Sequence, residues 1–90
     1  MAHTISGELS FRNVVATLDA AHDALAQGQG PFEVDLGGVT RADSAGLALL
    51  LELARNARAA GRELRCTRVP EQLRRLAGFF GVTEVLSLSA

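Results

Sequence analysis

Few residues in this 90-residue chain could do chemistry, and they are thinly spread. Asp43 and Ser44 stand side by side at the entry to a leucine-rich run, Asp35 lies upstream, and Cys66, His3 and His22 complete the set. A serine nucleophile needs a neighbouring base, and Ser44 has an acid beside it but no His or Lys. Asp35 and Asp43 could be imagined as a magnesium pair, yet they lack a third oxygen ligand. The two histidines fall on different elements with no third ligand at metal spacing, and they read as solvated. One cysteine excludes an internal disulfide and any multi-Cys zinc site, and within a strand Cys66 reads as an inert buried thiol. Gly28-x-Gly30 and Gly37-Gly38 lack the Gly-Lys-Ser/Thr ending and the Gly-x-Gly-x-x-Gly run of phosphate loops. No catalytic group, metal or cofactor is therefore expected, and the chain reads as non-enzymatic.

The Asp43-Ser44 pair has a different use. The first turn of a helix carries unpaired N–H groups and partial positive charge, so oxygen-bearing side chains belong there. Either residue could be the N-cap, contributing about 1 kcal/mol. Ser44 could in addition accept a phosphate, whose charge of about −1.5 to −2 the helix start tolerates but an apolar docking contact would not. At about 100° per residue, Ser44, Leu47, Ala48, Leu51 and Arg55 share one stripe of that helix. Gly46, Leu50, Leu53, Ala54 and Ala57 form the opposite, core-facing side. Such a helix has more leucine than one buried face requires. It is either packed on both sides or leaves Leu47 and Leu51 to another protein.

The elements that must position this step follow from periodicity and breakers. His3 to Leu9 alternates as a short strand, with Gly7 marking a bulge or its end. Ser10 or Asn13 caps a helix with apolar positions Val14, Val15, Leu18, Ala21 and Leu25, stopped by Gly28-Gln29-Gly30-Pro31. Phe32 to Leu36 is the next strand, Gly37-Gly38 a turn, and Val39 to Asp43 a crossing into a helix over about 45–60. Leu64 to Thr67 with Val69 makes a third strand. Pro70 opens a third helix to about Phe80, whose Leu76, Phe79 and Phe80 should pack on the sheet with Phe80 partly exposed. Val82 to Leu88 is a final strand or extended tail. This β-α-β-α-β-α-β order predicts an α/β fold with a small, mixed or parallel four-stranded sheet and about three helices in one domain, 1–90.

Composition narrows the function classes. At 48% hydrophobic and 21% charged, the chain is globular rather than disordered. No apolar run approaches the roughly 20 residues that span a bilayer, and Met1-Ala2-His3-Thr4 lacks the basic start of a signal peptide, so a cytoplasmic domain is expected. Residues 1–53 carry two Arg against seven acids, and residues 54–90 carry seven Arg against three. With a net charge of −1, four Phe and no Trp or Tyr, the chain lacks the basic surplus and stacking residues of a nucleic-acid binder. The arginine-rich half could instead complement an acidic protein partner.

The run Val34-Asp35-Leu36-x-x-Val39-Thr40-x-x-Asp43-Ser44-x-Gly46-Leu47, preceded by Gly7-Glu8-Leu9, resembles the motifs of STAS domains (sulfate transporter and anti-sigma-factor antagonist). The resemblance extends from about Ile5 to Leu86. It implies the SpoIIAA-like fold, and only Met1 to Ser6 is available for the family's usual additional N-terminal strand. That strand is then lost, or its edge is left for a partner. Two branches compete. In one, the matching serine is phosphorylated by a partner anti-sigma-factor kinase. In the other, the MlaB-type subunit of the Mla phospholipid-transport ABC system, the domain binds and supports the ATPase subunit at the inner membrane. Arg41-Ala42-Asp43-Ser44-Ala45-Gly46-Leu47-Ala48-Leu49-Leu50-Leu51 and Leu73-x-x-Leu76-Ala77-x-Phe79-Phe80-Gly81-Val82 resemble the second branch more closely. The resemblance implies a role in ATPase-subunit binding for Ser44. The expected contact set is Asp43, Ser44, Leu47, Ala48, Leu51 and Arg55, with the domain peripheral to the membrane through its partner.

Overall fold

The computed structural model describes residues 2–84 and 86. Three strands, β1 (His3–Leu9), β2 (Phe32–Ala42) and β3 (Leu64–Thr67), alternate with three helices, α1 (Val14–Ala26), α2 (Ser44–Ala59) and α3 (Glu71–Phe79). The sheet is wholly parallel in the order β1-β2-β3. The expected fourth strand does not form among the described residues. Thr83, Glu84 and Leu86 lie in turns, while residues 85, 87 and 88 of that expected strand lie outside the described set.

The helices cover one sheet face. Ile5, Leu9, Phe32, Val34, Leu36, Val39, Ala42, Leu64 and Cys66 point into the core, while Thr4, Ser6, Glu33, Thr40 and Arg65 alternate with them on the exposed face. From α2 come Leu47, Leu49, Leu50, Leu53 and Ala57, and from α3 Leu73 and Ala77. The expected core seam of α2 through Gly46, Leu50, Leu53 and Ala57 is buried, with Ala54 half-buried. Val15, by contrast, is 71% exposed, because α1 buries only Ala21 and Leu25 fully.

Gly37-Gly38 does not turn the chain. The strand continues to Ala42 because β1 runs beside it, pairing Ser6 with Gly38, Gly7 with Val39 and Leu9 with Ala42. The register shifts between Thr4 and Ser6 and again between Gly7 and Glu8, each time adding one residue to β2. Each shift resets the in–out alternation, so that Leu36, Val39 and Ala42 all face inward. A Cβ on Gly38 would sit 2.8 Å from the Ser6 Cβ, so glycine is what permits this approach. Two bulges thus lie in the seven residues by which β2 runs past its last pair with β3, and the strand delivers Asp43 to the head of α2.

Candidate functional site

Asp43 is the N-cap. Its Oδ1 accepts from the N–H groups of Ala45 (2.9 Å) and Gly46 (3.3 Å), and its own N–H donates to the Leu9 carbonyl (3.3 Å). The second carboxylate oxygen accepts from the Phe11 N–H at 3.5 Å, tying the β1–α1 connection to the same point. Gly46 packs so tightly that a Cβ there would lie 2.6 Å from the Leu9 carbonyl oxygen. That contact explains the glycine two residues into the helix, since α2 must start directly against the end of β1. With Asp43 holding the cap, Ser44 occupies the first helical position with an exposed side chain.

Ser44 lines two hollows. The larger, about 780 Å³, lies between the head of α2 and α3 and is walled by Asp43, Gln72, Arg75, Leu76 and Phe79. The smaller, about 390 Å³, is formed by Ser44, Leu47, Ala48, Leu51, Phe80 and Val82. Phe79 and Phe80 meet edge to face with ring centroids 5.2 Å apart, one in each hollow. Phe79 is 82% exposed and Phe80 57% exposed, so the expectation that Phe79 packs on the sheet is corrected. The helix ends at Phe79, and Leu73 and Ala77 are the side chains it buries. Phe11, whose backbone N–H donates to Asp43, is 81% exposed. Exposed, touching aromatic rings beside a polar step, as Phe79 and Phe80 are, are a feature of contact surfaces.

The stripe expected for contact is divided by the structure. Ala48 is exposed, Leu51 half-buried, and both line the smaller hollow with Ser44. Leu47 is only 4% exposed; most of its side chain belongs to the core and it offers the hollow a floor. That corrects its expected role as a free apolar contact. Arg55 lines neither hollow and pairs with Glu52 at 2.6 Å on the exposed helix face. Phe79 and Gln72 were not in the expected set. An aromatic pair directly before Gly81 was the available signal for the first; an exposed glutamine offers none for the second.

The remaining reactive groups lie elsewhere. Burial pushes the Cys66 thiol up to about 12, which keeps it protonated and inert. Hydrogen bonding from Arg68, reinforced by the Gly37 N–H, holds Asp35 below the usual carboxylate range. Arg68 reaches both Asp35 oxygens, at 3.0 and 2.6 Å, so that carboxylate is engaged in an ion pair. Among the described residues, no group of three or more His, Cys, Asp or Glu side chains is placed to hold a metal ion, and no helix is long and apolar enough to cross a membrane.

Known proteins share this fold. A sulfate transporter family protein from Wolinella succinogenes superposes with a TM-score of 0.75 at 22% identity, covering 94% of this chain and 69% of that one. A putative anti-sigma factor antagonist from Thermotoga maritima gives a TM-score of 0.79 at 17% identity over 92% and 72% of the two chains. The murine Solute Carrier 26 family member A9 anion transporter, in its inward-facing state, gives 0.80 at 17% identity, with 94% of this chain matching 15% of the transporter. Among curated proteins, none matches the sequence. At these identities the superpositions show the fold, the α/β SpoIIAA-like architecture. The family model described as "Mlab, STAS domain" matches residues 3–88. The chain belongs to the STAS domain family.

Proposed function

We propose that the chain is a non-catalytic docking subunit that binds and supports the ATPase of a phospholipid-transporting, Mla-type ABC complex, serving outer-membrane lipid asymmetry. STAS domains are generally regulatory or interaction domains rather than enzymes. The observation that carries the reading is the exposed Ser44, relieved of capping by Asp43 and set between two hollows with Phe79 and Phe80 at their rims. The match to the Mlab-type STAS family over residues 3–88 supports this branch. In this account Ser44, Ala48, Leu51, Phe79 and Phe80 contact the ATPase and Asp43 holds the register. ATP hydrolysis belongs to the partner, which also keeps the domain at the cytoplasmic face of the inner membrane.

A second reading, an anti-sigma-factor antagonist switched by phosphorylation, is favoured by the same exposed hydroxyl. A phosphate on Ser44 would sit at the positive end of the α2 dipole, while placing charge on the apolar contact. Affinity purification from the native cell, with the bound protein identified by mass spectrometry, separates the two. Recovery of a membrane ABC ATPase is the expected result; recovery of a kinase-type anti-sigma factor would overturn it in favour of the second reading.

A further inference from the structure

We propose that Gln72 is a positioning residue for the Ser44 surface, standing in for a strand that β2 lacks at its end; the inference rests on the docking reading above. Successive N–H groups of an extended chain point to opposite sides. β3 pairs with β2 only from Phe32 to Asp35, so the far half of β2 has β1 on one side and no β3 on the other. Ala42 is buried, and a buried N–H requires an acceptor. Gln72 of α3 provides it, its Oε1 accepting from the Ala42 N–H at 3.1 Å. The next N–H, that of Asp43, is taken from the opposite side by the Leu9 carbonyl.

The peptide entering Ser44 is therefore gripped from both sides, by β1 and by α3. The same contact fixes α3 against the strand end and so sets the width of the larger hollow, of which Gln72 and Phe79 are walls. Asp43 can cap α2 only while its own backbone is held in this orientation. Gln72 thus acts through Ala42 and Asp43 on the placement of Ser44.

The test uses the full chain. Gln72→Leu keeps the side-chain stem but cannot accept a hydrogen bond; Gln72→Glu restores an acceptor, and raised salt screens its added charge. Amide hydrogen exchange at residues 42–46 should accelerate about five- to tenfold in Gln72→Leu and return toward wild type in Gln72→Glu. Unchanged exchange there, or acceleration spread evenly over the sheet and helices, would overturn the proposal. With the purified ATPase subunit, Gln72→Leu should dissociate about fivefold faster and Gln72→Glu should not. Equal dissociation of all three would also overturn it. A wild-type chain that binds no ATPase refutes the choice of partner alone, and the exchange pattern then decides the role of Gln72 by itself.

Discussion

The two ends of the sheet treat aromatic side chains in opposite ways. At the amino end of β2, Phe32 is buried between the His3 ring, stacked at 5.9 Å, and the Arg62 guanidinium, 5.1 Å from its centroid. Arg62 also donates to the carbonyls of Leu25 (2.6 Å), Gly30 (2.8 Å) and Pro31 (3.3 Å), closing the α1–β2 connection. At the carboxyl end, Phe11, Phe79 and Phe80 remain exposed around a backbone that is held just as firmly. Both ends are ordered by side chain-to-backbone hydrogen bonds, so what separates them is where the apolar surface goes. One end uses its aromatic ring to close the domain; the other holds its rings out on a fixed frame. Open α/β sheets bind at the carboxyl ends of their strands, and the contact surface proposed here lies at that end.

The largest expected effect is at the open end. Replacing both rings, Phe79→Ala with Phe80→Ala, should weaken partner binding about a hundredfold while leaving the thermal midpoint nearly unchanged, as exposed anchor residues do. Titration calorimetry and a thermal melt on the same variant check both halves of that statement. Arg62→Ala should do the reverse. It removes three hydrogen bonds and the stacking on Phe32, costing about 2 kcal/mol in denaturant unfolding, with partner affinity unchanged. If Arg62→Ala weakened binding as much as the aromatic pair, the distinction between the ends would be lost.

The smallest effect belongs to the Asp35–Arg68 pair on the exposed sheet face. Its hydrogen bonds hold the folded-state pKa of Asp35 below the ordinary value of 3.8, so the ionised carboxylate favours folding above that pH. The contribution disappears as pH falls through the lowered folded-state value. Asp35→Asn should therefore differ slightly from wild type at neutral pH, with the gap closing in acid. Unfolding curves collected downward from pH 5 measure this; a gap that widened in acid would contradict the assignment.

The sequence disclosed most of what local chemistry controls. Asp43 at a helix start, Gly61 and Gly81 after helices, Pro70 before one, and the three-and-four spacing of Leu50, Leu53 and Ala57 all act within their own segments. The course of β2 through Gly37-Gly38 was not legible, because the glycines serve a bulged pairing with β1 rather than a turn. Leu47 and Leu51 were equivalent by helical phase, yet the first is buried and the second half-buried, a difference made by packing from outside α2. Phe79 read as core from its spacing with Leu76. In the fold, α3 is only nine residues long and turns Leu73 and Ala77 inward, leaving its last ring outside. Gln72 carried no local signal, since its value depends on where β3 stops.

The central claim is that a polar step at the head of α2 is a contact surface whose frame is independent of its occupant. Ser44→Glu tests it most directly, through affinity for the ATPase subunit measured beside the unfolding midpoint. A carboxylate at the first helical position suits the helix dipole, so the midpoint should hold or rise slightly. Charge set between the two hollows should weaken binding at least about tenfold. Undiminished affinity in a folded Ser44→Glu protein would contradict the account.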